Sequence, residues 1–351
     1  MKITLETKYG KIEIGDNLPV HLISEIGLNH NGSVELAKQM IYQSALSGAS
    51  MVKFQKRSPK DLATASFLDE PFSKCPVLGS TQREVRERLE LSFDEYVELK
   101  EYAESLGLIF FATAFDIPSF DFLMGLNVQV MKIASHSITN GLLISKIAKS
   151  KIPVICSFGG TTSSERDFAV NALKDNPLII MHCVSSYPTP DNLVKIDTIT
   201  HYKNKYNVPV GFSSHEIGID ISVASSLLGA CIIERHFTLN RSMIGLDHGI
   251  SLLPDEFSLM ANKINRLSAI RGVSEDIQSE EKSTKYKYHV AICSNKEFNI
   301  GHIISEQDIV CKQPLKDPNI YFTGIEVNQI VGKKVLVKIE RDTQIPRESL
   351  S

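Results

Sequence analysis

The sequence lacks the features that mark membrane, secreted and nucleic-acid-binding proteins. No apolar run approaches the roughly 20 residues of a membrane-spanning helix, and the first residues lack the apolar core of a signal peptide. A net charge of only −3 argues against a polyanion-binding surface, and so against nucleic acid as a partner. The six cysteines include no CxxC pair, as expected for a reduced, cytoplasmic protein. What is present is an ordinary globular composition in 351 residues, enough for one large core and a smaller module.

Short apolar segments that end in polar residues recur along the chain, and helix patterns separate them. One helix start is marked by the capping box Ser92-Phe93-Asp94-Glu95. Strand and helix in alternation predict a parallel sheet, and eight units over about 215 residues predict closure into a (β/α)8 TIM barrel. Polar groups at the carboxyl ends of barrel strands predict an active site there. The segments are 23–25, 52–55, 111–113, 131–135, 155–157, 182–185, 211–215 and 233–236.

Composition divides the rest of the chain. Residues 1–18 contain two alternating runs around a Tyr-Gly-Lys turn signal and predict a hairpin at the start of the barrel domain, 1–272. Residues 273–287 are polar and charged, which predicts a linker. Residues 288–351 return to short β-type segments punctuated by Pro and Gly, so we expect a separate small β-rich domain.

Two histidines lie near the ends of the last two barrel segments. Alternate residues of a strand point the same way, so Ser213 and His215 share a face, as do Glu234 and His236. Neighbouring strands would bring the two imidazoles together, with Asp247 nearby in sequence. Such a pair suits a divalent cation that keeps open positions for water or substrate oxygens. The alternative is that each histidine satisfies a hydrogen bond in the core.

Two lysines are predicted to lie inside the barrel. Lys53 shares a face with Gln55, and Lys132 lies at the same depth on the fourth segment. A buried ammonium group requires a counter-charge, which an anionic substrate with phosphate and carboxylate groups would supply. A structural salt bridge between Lys53 and Glu25 is the alternative, and a Schiff-base lysine at Lys132, as in barrel aldolases, is another. The hydroxyl donors expected around the anion are Thr113, Ser135, Ser157, Ser185 and Ser213.

Six motifs in order along the chain resemble the sialic acid synthases. The tail, in 299–304 and 331–334, resembles that family's antifreeze-like (SAF, β-clip) domain. The resemblance implies that phosphoenolpyruvate condenses with an open-chain N-acetylhexosamine-type aldose to a nine-carbon 2-keto-3-deoxy acid and phosphate, for surface-glycan synthesis. It also implies a domain-swapped homodimer whose tail domain covers the neighbour's barrel mouth. The motifs are 24–32, 52–56, 132–135, 182–190, 211–215 and 234–239.

The resemblance also implies roles for individual residues. His215 and His236 would hold Mn²⁺ or Mg²⁺, and Glu25 would be an acid/base. The positions matching the family's phosphoenolpyruvate contacts are Lys53, Thr113, Lys132, Ser135, Ser157, Ser185 and Ser213. The positions matching its sugar contacts are Gln55, Tyr187 and Asp247.

Departures from the family pattern cluster on the sugar side. Ser137 stands where the family has a glutamate, and Gln313 where it has an arginine that reaches the partner's sugar. We therefore expect the reaction type to be kept and leave the acceptor open. The remaining alternatives are another phosphoenolpyruvate-dependent or Schiff-base aldolase and a sugar-phosphate-binding relative without turnover.

Overall fold

The computed structural model describes residues 2–351, which form two compact units. The first unit ends at Arg271 and the second is Gly272–Ser351. Within the described residues, no helix combines the length and the apolar character needed to cross a membrane.

Eight parallel strands close into a barrel in the first unit, which confirms the predicted (β/α)8 fold. Strand order follows the chain, and closure pairs the last strand with the first, with Ile232 opposite His21. An antiparallel hairpin precedes the barrel, as predicted for residues 1–18. The hairpin strands are β1 (Lys2–Thr7) and β2 (Gly10–Gly15), and the barrel strands are β3 (His21–Gly27), β4 (Met51–Lys56), β5 (Ile109–Ala114), β6 (Met131–Ile133), β7 (Val154–Ser157), β8 (Leu178–Cys183), β9 (Val210–Ser214) and β10 (Ile232–His236).

Helices connect these strands and pack around the barrel. The Ser92 hydroxyl accepts a hydrogen bond from the Glu95 amide and the Glu95 carboxylate bonds back to the Ser92 amide, so the predicted capping box is confirmed. The helices are α1 (Val34–Leu46), α2 (Pro59–Leu62), α3 (Ala65–Leu68), α4 (Gln82–Arg88), α5 (Phe93–Ser105), α6 (Ile117–Gly125), α7 (Gly141–Ser150), α8 (Ser163–Ala172), α9 (Asp191–Val194), α10 (Thr198–Tyr206), α11 (Asp220–Leu227) and α12 (Pro254–Ile270). Short 3-10 turns occupy Ser135–Ser137 and His248–Ile250.

Inward-facing side chains change from apolar to polar along the barrel axis. On β4, Met51 is followed two residues later by Lys53, and on β5 Ile109 and Phe111 are followed by Thr113, all of them buried. The apolar layers form one cluster that also contains three hairpin side chains, so the hairpin covers the amino-terminal end of the barrel. Those three are Ile3, Leu5 and Ile14. The inward-facing polar groups of β4 and β5 therefore lie towards the carboxyl end, where a barrel places its active site.

The second unit is built from short β segments around its own small core. Strands β11 (Ala291–Ser294) and β12 (Ile309–Lys312) pair antiparallel, and isolated β-bridges join further segments. Residues 273–287, predicted as a linker from their polarity, include most of helix α13 (Lys282–Tyr288), and α14 (Val327–Ile330) lies later. The core residues are Ile292, Phe298, Ile304, Phe322, Ile330, Val335, Ile339 and Ile345. The assignment of this unit to the antifreeze-like type stays a prediction.

One carboxylate is held by several donors in the second unit. Asp308 lies 2.6 Å from the Lys296 ammonium and 2.9 Å from the His302 ring, and it accepts the Ser305 amide at 2.8 Å. Burial opposes its ionisation, but these donors outweigh burial and hold the pKa of Asp308 well below its usual range.

Candidate active site

A cavity of about 570 Å³ opens at the carboxyl ends of the barrel strands and brings together thirteen residues given candidate roles from the sequence. Their roles stay predictions, but their proximity follows directly from the barrel register. The residues are Glu25, Lys53, Gln55, Thr113, Lys132, Ser135, Ser157, Ser185, Tyr187, Ser213, His215, His236 and Asp247.

Two lysines and two glutamates form the floor of this cavity. The Lys53 ammonium lies 2.7 Å from Glu25 and 3.6 Å from Glu234. The Lys132 ammonium lies 3.8 Å from Glu234, on its other oxygen, and donates to the Ser157 hydroxyl at 2.6 Å. The Lys53–Glu25 salt bridge weighed as an alternative is thus present. It leaves Lys132 as the loosely paired cation of the floor.

The two ammonium groups are affected differently by the same environment. Burial lowers the pKa of Lys132 below its ordinary value and Lys53 adds to the effect, which Glu234 only partly offsets. Burial acts against the charge of Lys53 too, but Glu234 and Glu25 together raise its pKa above the ordinary value. Burial also opposes ionisation of Glu234, and the two lysines nevertheless hold its pKa below the usual range. Lys132 is therefore the cation that would gain most from an added anion.

Hydroxyl and amide groups surround the floor. Thr113 lies opposite Lys132 in the β5–β6 register and accepts from the Lys53 ammonium at 3.2 Å, and Ser213 donates to Glu234 at 3.2 Å. Strand β6 ends at Ile133, before the predicted end, so Ser135 lies on the 3-10 turn and accepts the Gly159 amide at 2.8 Å. A Cβ on Gly159 would lie 2.4 Å from the Ser185 hydroxyl oxygen, so a larger residue there would displace that hydroxyl.

Hydrogen bonds link Glu25 on the floor through Gln55 to Arg57 on the wall above β4. The Gln55 amide donates to Glu25 at 2.7 Å and accepts a short hydrogen bond from Arg57. Beside them, β3 ends in a bulge where Gly27 has φ 57°, and a Cβ there would lie 3.0 Å from a Glu25 oxygen. Both groups of the Gln55 amide are thus engaged within the protein, and its orientation is fixed.

The two histidines lie side by side at the mouth, with ring centroids 5.4 Å apart. His215 Nδ1 lies 3.0 Å from the Val184 carbonyl, an arrangement that places its proton on Nδ1 and leaves Nε2 free to bind a metal. Burial, with His236 beside it, lowers the pKa of His215 to about 3, so the ring is neutral near pH 7.

His236 is held by fewer hydrogen bonds than His215. Its Nδ1 is buried without a hydrogen-bond partner, and the nearest carboxylate, Asp247, lies 3.9 Å away. Imidazole nitrogens with free lone pairs fit a divalent cation. In residues 2–351 no group of three or more His, Cys, Asp or Glu side chains is arranged to hold a metal ion. A cation at this pair would take its other ligands from water or substrate.

The loop that carries Asp247 is held by residues of the Asn29-His30-Asn31-Gly32-Ser33 segment. Asn31 donates to the Ile244 carbonyl at 2.6 Å, and Asn29 donates to the Phe237 carbonyl and the Ser251 hydroxyl, both at 2.9 Å. The same segment also caps helix α1, since the Ser33 hydroxyl accepts a hydrogen bond from the Leu36 amide. The segment therefore does more than start helix α1, because it fixes one wall of the cavity.

The cavity is also lined by Glu234, Arg57, Phe115 and His136, which were not singled out from the sequence. Glu234 was noted only as a neighbour of the histidines, although its period-two spacing from His236 already placed it inside the barrel. Its carboxylate lies between the lysines of the floor. Arg57, Phe115 and His136 lie just beyond strand ends, where alternation no longer indicates direction, so no sequence signal identified them.

The chain resembles known proteins over nearly its whole length. The NeuB family model matches residues 40–276. The N,N'-diacetyllegionaminic acid synthase of Campylobacter jejuni is 32% identical over 93% of this chain and 98% of that protein. The N-acetylneuraminate-9-phosphate synthase of Homo sapiens is 32% identical over 95% of this chain and 94% of that protein. The crystal structure of the N-acetylneuraminic acid synthetase from Leptospira borgpetersenii superposes with a TM-score of 0.70 at 34% identity, covering 81% of this chain and 95% of that one.

Proposed function

The chain belongs to the NeuB family and is a sialic acid synthase-like enzyme that condenses phosphoenolpyruvate with a sugar, and from this premise we propose its acceptor class and metal dependence. The acceptor is an open-chain N-acetylhexosamine-type aldose, and the products are a nine-carbon 2-keto-3-deoxy acid and phosphate for surface-glycan synthesis. The reaction takes place in the cytoplasm and depends on Mn²⁺ or Mg²⁺.

One observation carries the phosphoenolpyruvate side of this reaction: a buried, loosely paired ammonium group faces a cavity rich in hydroxyl donors. The nearest carboxylate to Lys132 lies at 3.8 Å, beyond hydrogen-bond distance. A phosphate or carboxylate oxygen of phosphoenolpyruvate placed there would gain a charge-assisted hydrogen bond in a site of low dielectric constant. Lys53 and the serine hydroxyls would take the remaining oxygens.

The proposed reaction forms one carbon–carbon bond and cleaves the bond between C2 and the phosphate oxygen. The C3 carbon of the enol attacks the aldehyde carbon, and the new alkoxide takes a proton. Water adds at the cationic C2, and cleavage of the C2–O bond then releases phosphate and leaves the ketone. Glu25, which pairs with Lys53 and accepts a hydrogen bond from Gln55, would accept the proton of that water. Fixed positions for both reactants would supply much of the rate.

The histidine pair is the proposed metal site. A divalent cation bound by His215 and His236 would polarise the aldehyde oxygen as a Lewis acid. Tyr187, whose ring lies 4.2 Å from that of His215, and Asp247 would orient the sugar beside it.

The direct test measures phosphate released from phosphoenolpyruvate while acceptor aldoses are varied, with Mn²⁺ and after chelation. We expect release only when an aldose and the cation are both present. His215→Ala and His236→Ala should abolish it while the circular dichroism spectrum and the melting temperature stay near wild type, since both residues lie above the apolar layers. Full activity in either variant would refute the metal assignment.

The lowered pKa of Lys132 also favours a second candidate, a Schiff-base aldolase, because a neutral amine is the nucleophile that this chemistry needs. Borohydride reduction in the presence of pyruvate separates the two. A covalent adduct at Lys132 would support the Schiff-base reaction, and no adduct together with metal-dependent phosphate release would support the condensation.

We further propose a homodimer in which the antifreeze-like unit of one subunit covers the barrel mouth of its partner. Sedimentation at working concentration tests this, and a monomer that retains full activity would contradict it.

A further inference from the structure

The barrel supports the two histidines of the proposed metal site in different ways. His236 belongs to strand β10 and lies opposite Glu25 of β3 in the register, so strand pairing fixes its backbone. His215 lies one residue beyond the end of β9, and the residues after it, up to Ile219, form neither strand nor helix. The Thr189 amide, in the loop after β8, donates to the His215 carbonyl at 3.1 Å. The position of His215 relative to His236 therefore depends on what else holds this loop.

The side chain of Arg235 holds the loop that follows His215. Arg235 directly precedes His236 on β10, so alternation points its side chain away from the cavity, and only 1% of the residue is exposed. Its guanidinium donates to the Glu216 carbonyl at 2.8 Å and to the Gly218 carbonyl at 2.6 Å. It also pairs with the Glu216 carboxylate at 3.2 Å. One side chain of β10 thus binds the loop at both Glu216 and Gly218.

Two serines fix the Glu216 carboxylate in turn. Ser222 of helix α11 accepts from the Arg235 guanidinium at 3.0 Å and donates to the carboxylate oxygen that faces it at 3.4 Å. Ser214, which lies opposite Arg235 in the β9–β10 register, donates a short hydrogen bond to the other oxygen. Both members of the ion pair are buried. The carboxylate and the guanidinium therefore have one fixed arrangement.

The ion pair between Arg235 and Glu216 is a costly way to stabilise a fold. Within residues 2–351 the buried Nε of Arg235 has no hydrogen-bond partner. Apolar side chains of similar volume often stabilise a protein as well as a buried ion pair does, because the two charges lose their hydration. Stability gives little reason for these charges, whereas a loop that must keep one position does.

We propose that Arg235 and Glu216 are positioning residues for the histidine pair. The buried ion pair ties the loop that carries His215 to the strand that carries His236, and so sets the distance between the two imidazoles, whose centroids lie 5.4 Å apart. A displaced loop would weaken the hydrogen bond between His215 Nδ1 and the Val184 carbonyl, at 3.0 Å, and the ring would lose its fixed orientation. This inference rests on the proposed metal site and adds two residues that face away from it.

Replacing both charges at once separates positioning from folding. In Glu216→Leu/Arg235→Met two apolar side chains take the place of the ion pair, so the urea midpoint should stay near or above the wild-type value. Binding of Mn²⁺, followed by the electron paramagnetic resonance signal of the free ion, should weaken by about 10- to 100-fold. The KM for phosphoenolpyruvate at saturating Mn²⁺ should stay near the wild-type value, since Lys53 and Lys132 of the floor are unchanged.

The matched control removes an ion pair at the other end of the barrel. Lys203 of helix α10 lies 2.7 Å from Asp16, which follows the hairpin, and both side chains are partly buried. Asp16→Leu/Lys203→Met should leave Mn²⁺ affinity unchanged. A lower urea midpoint with wild-type Mn²⁺ affinity in Glu216→Leu/Arg235→Met would show that the ion pair serves folding alone, and would overturn the proposal.

Arg235→Lys decides the question if the double variant does not fold. It keeps the positive charge beside Glu216, but a single ammonium lacks the planar fork that reaches the carboxylate and the two loop carbonyls together. We expect a folded protein whose Mn²⁺ affinity is about tenfold lower. Wild-type affinity in this variant would refute the role given to Arg235.

If the wild-type protein bound no Mn²⁺, the proposed metal site would fail, and the positioning role would still be tested by the tautomer of His215. Long-range proton–nitrogen NMR spectra of the histidine rings report which nitrogen carries the proton. We expect Nδ1–H alone in the wild type, because of the bond to the Val184 carbonyl, and a mixture of tautomers in Arg235→Lys. The same single tautomer in both proteins would refute the proposal.

Discussion

Replacing Lys132 with methionine separates the binding role of this residue from its role in folding. Methionine has nearly the same length and shape but no charge. The variant removes the ammonium that donates to Ser157 at 2.6 Å and lies 3.8 Å from Glu234. Glu234 keeps Lys53 at 3.6 Å, so no carboxylate of the floor is left without a cation.

The expected loss of activity follows from one buried charge-assisted hydrogen bond to the substrate anion. Removing one partner of such a pair costs about 2–5 kcal/mol, which corresponds to a fall in kcat/KM of about 30- to 5,000-fold. The free energy of unfolding should change by no more than about 1 kcal/mol, because a buried, weakly paired charge gives way to an apolar group of similar volume.

The pH dependence of stability gives a further check. Burial lowers the pKa of Lys132 in the folded state, so the unfolded chain binds its proton more tightly. Wild-type stability relative to the variant should therefore rise as pH increases through that lowered pKa towards the ordinary value of about 10.4.

Phosphate release at varied phosphoenolpyruvate concentration measures the first effect, and urea denaturation at several pH values measures the second. Lys146→Met is the control, since its ammonium pairs with Asp121 on an exposed surface and should affect neither quantity. Near-normal kcat/KM in Lys132→Met would refute the role given to this lysine.

Three more substitutions test other parts of the description. Gly211→Ala places a Cβ 2.4 Å from Ile232 inside the barrel and should lower the free energy of unfolding by about 1–3 kcal/mol in urea; an unchanged midpoint would contradict this packing. Asn31→Ala releases the loop that holds Asp247 and should reduce kcat/KM for the aldose by about tenfold, while a raised KM for phosphoenolpyruvate would locate the damage at the floor instead. Hydrogen bonds outweigh burial and lower the pKa of Asp308, so its contribution is present above about pH 4 and is lost as pH falls. Asp308→Asn should be about 1–3 kcal/mol less stable at pH 7 and lose less stability in acid, and an identical acid profile would count against it.

Local rules were enough to predict the barrel and the end of it at which polar side chains gather. Polar residues at the ends of apolar runs, such as Lys53 and His215, lie at the carboxyl end of a parallel barrel whatever the strand register. The pairing of charges was harder to predict. It depends on how β10 pairs with β3 and β9, which sets Glu234 between Lys53 and Lys132, 79 residues apart in sequence.

Regions beyond the strand ends could not be predicted from period-two alternation. Arg57 and His136 take their directions from the loop and the 3-10 turn that follow β4 and β6. The polar composition of residues 273–287 likewise did not reveal helix α13, because an exposed helix of seven residues needs no apolar face.

The hairpin at the amino-terminal end of the barrel has a consequence for the order of folding. Its strands leave the ribosome before the barrel strands do, but the surface they cover is assembled from chain as late as Ile232, which must pair with His21 before the ring is complete. Until then the apolar barrel layer against which Ile3, Leu5 and Ile14 pack is incomplete. Contacts across so many intervening residues form slowly. The nascent polypeptide would thus expose the apolar side chains of the hairpin until the last barrel strand has been synthesised, which makes this segment a natural target for chaperones.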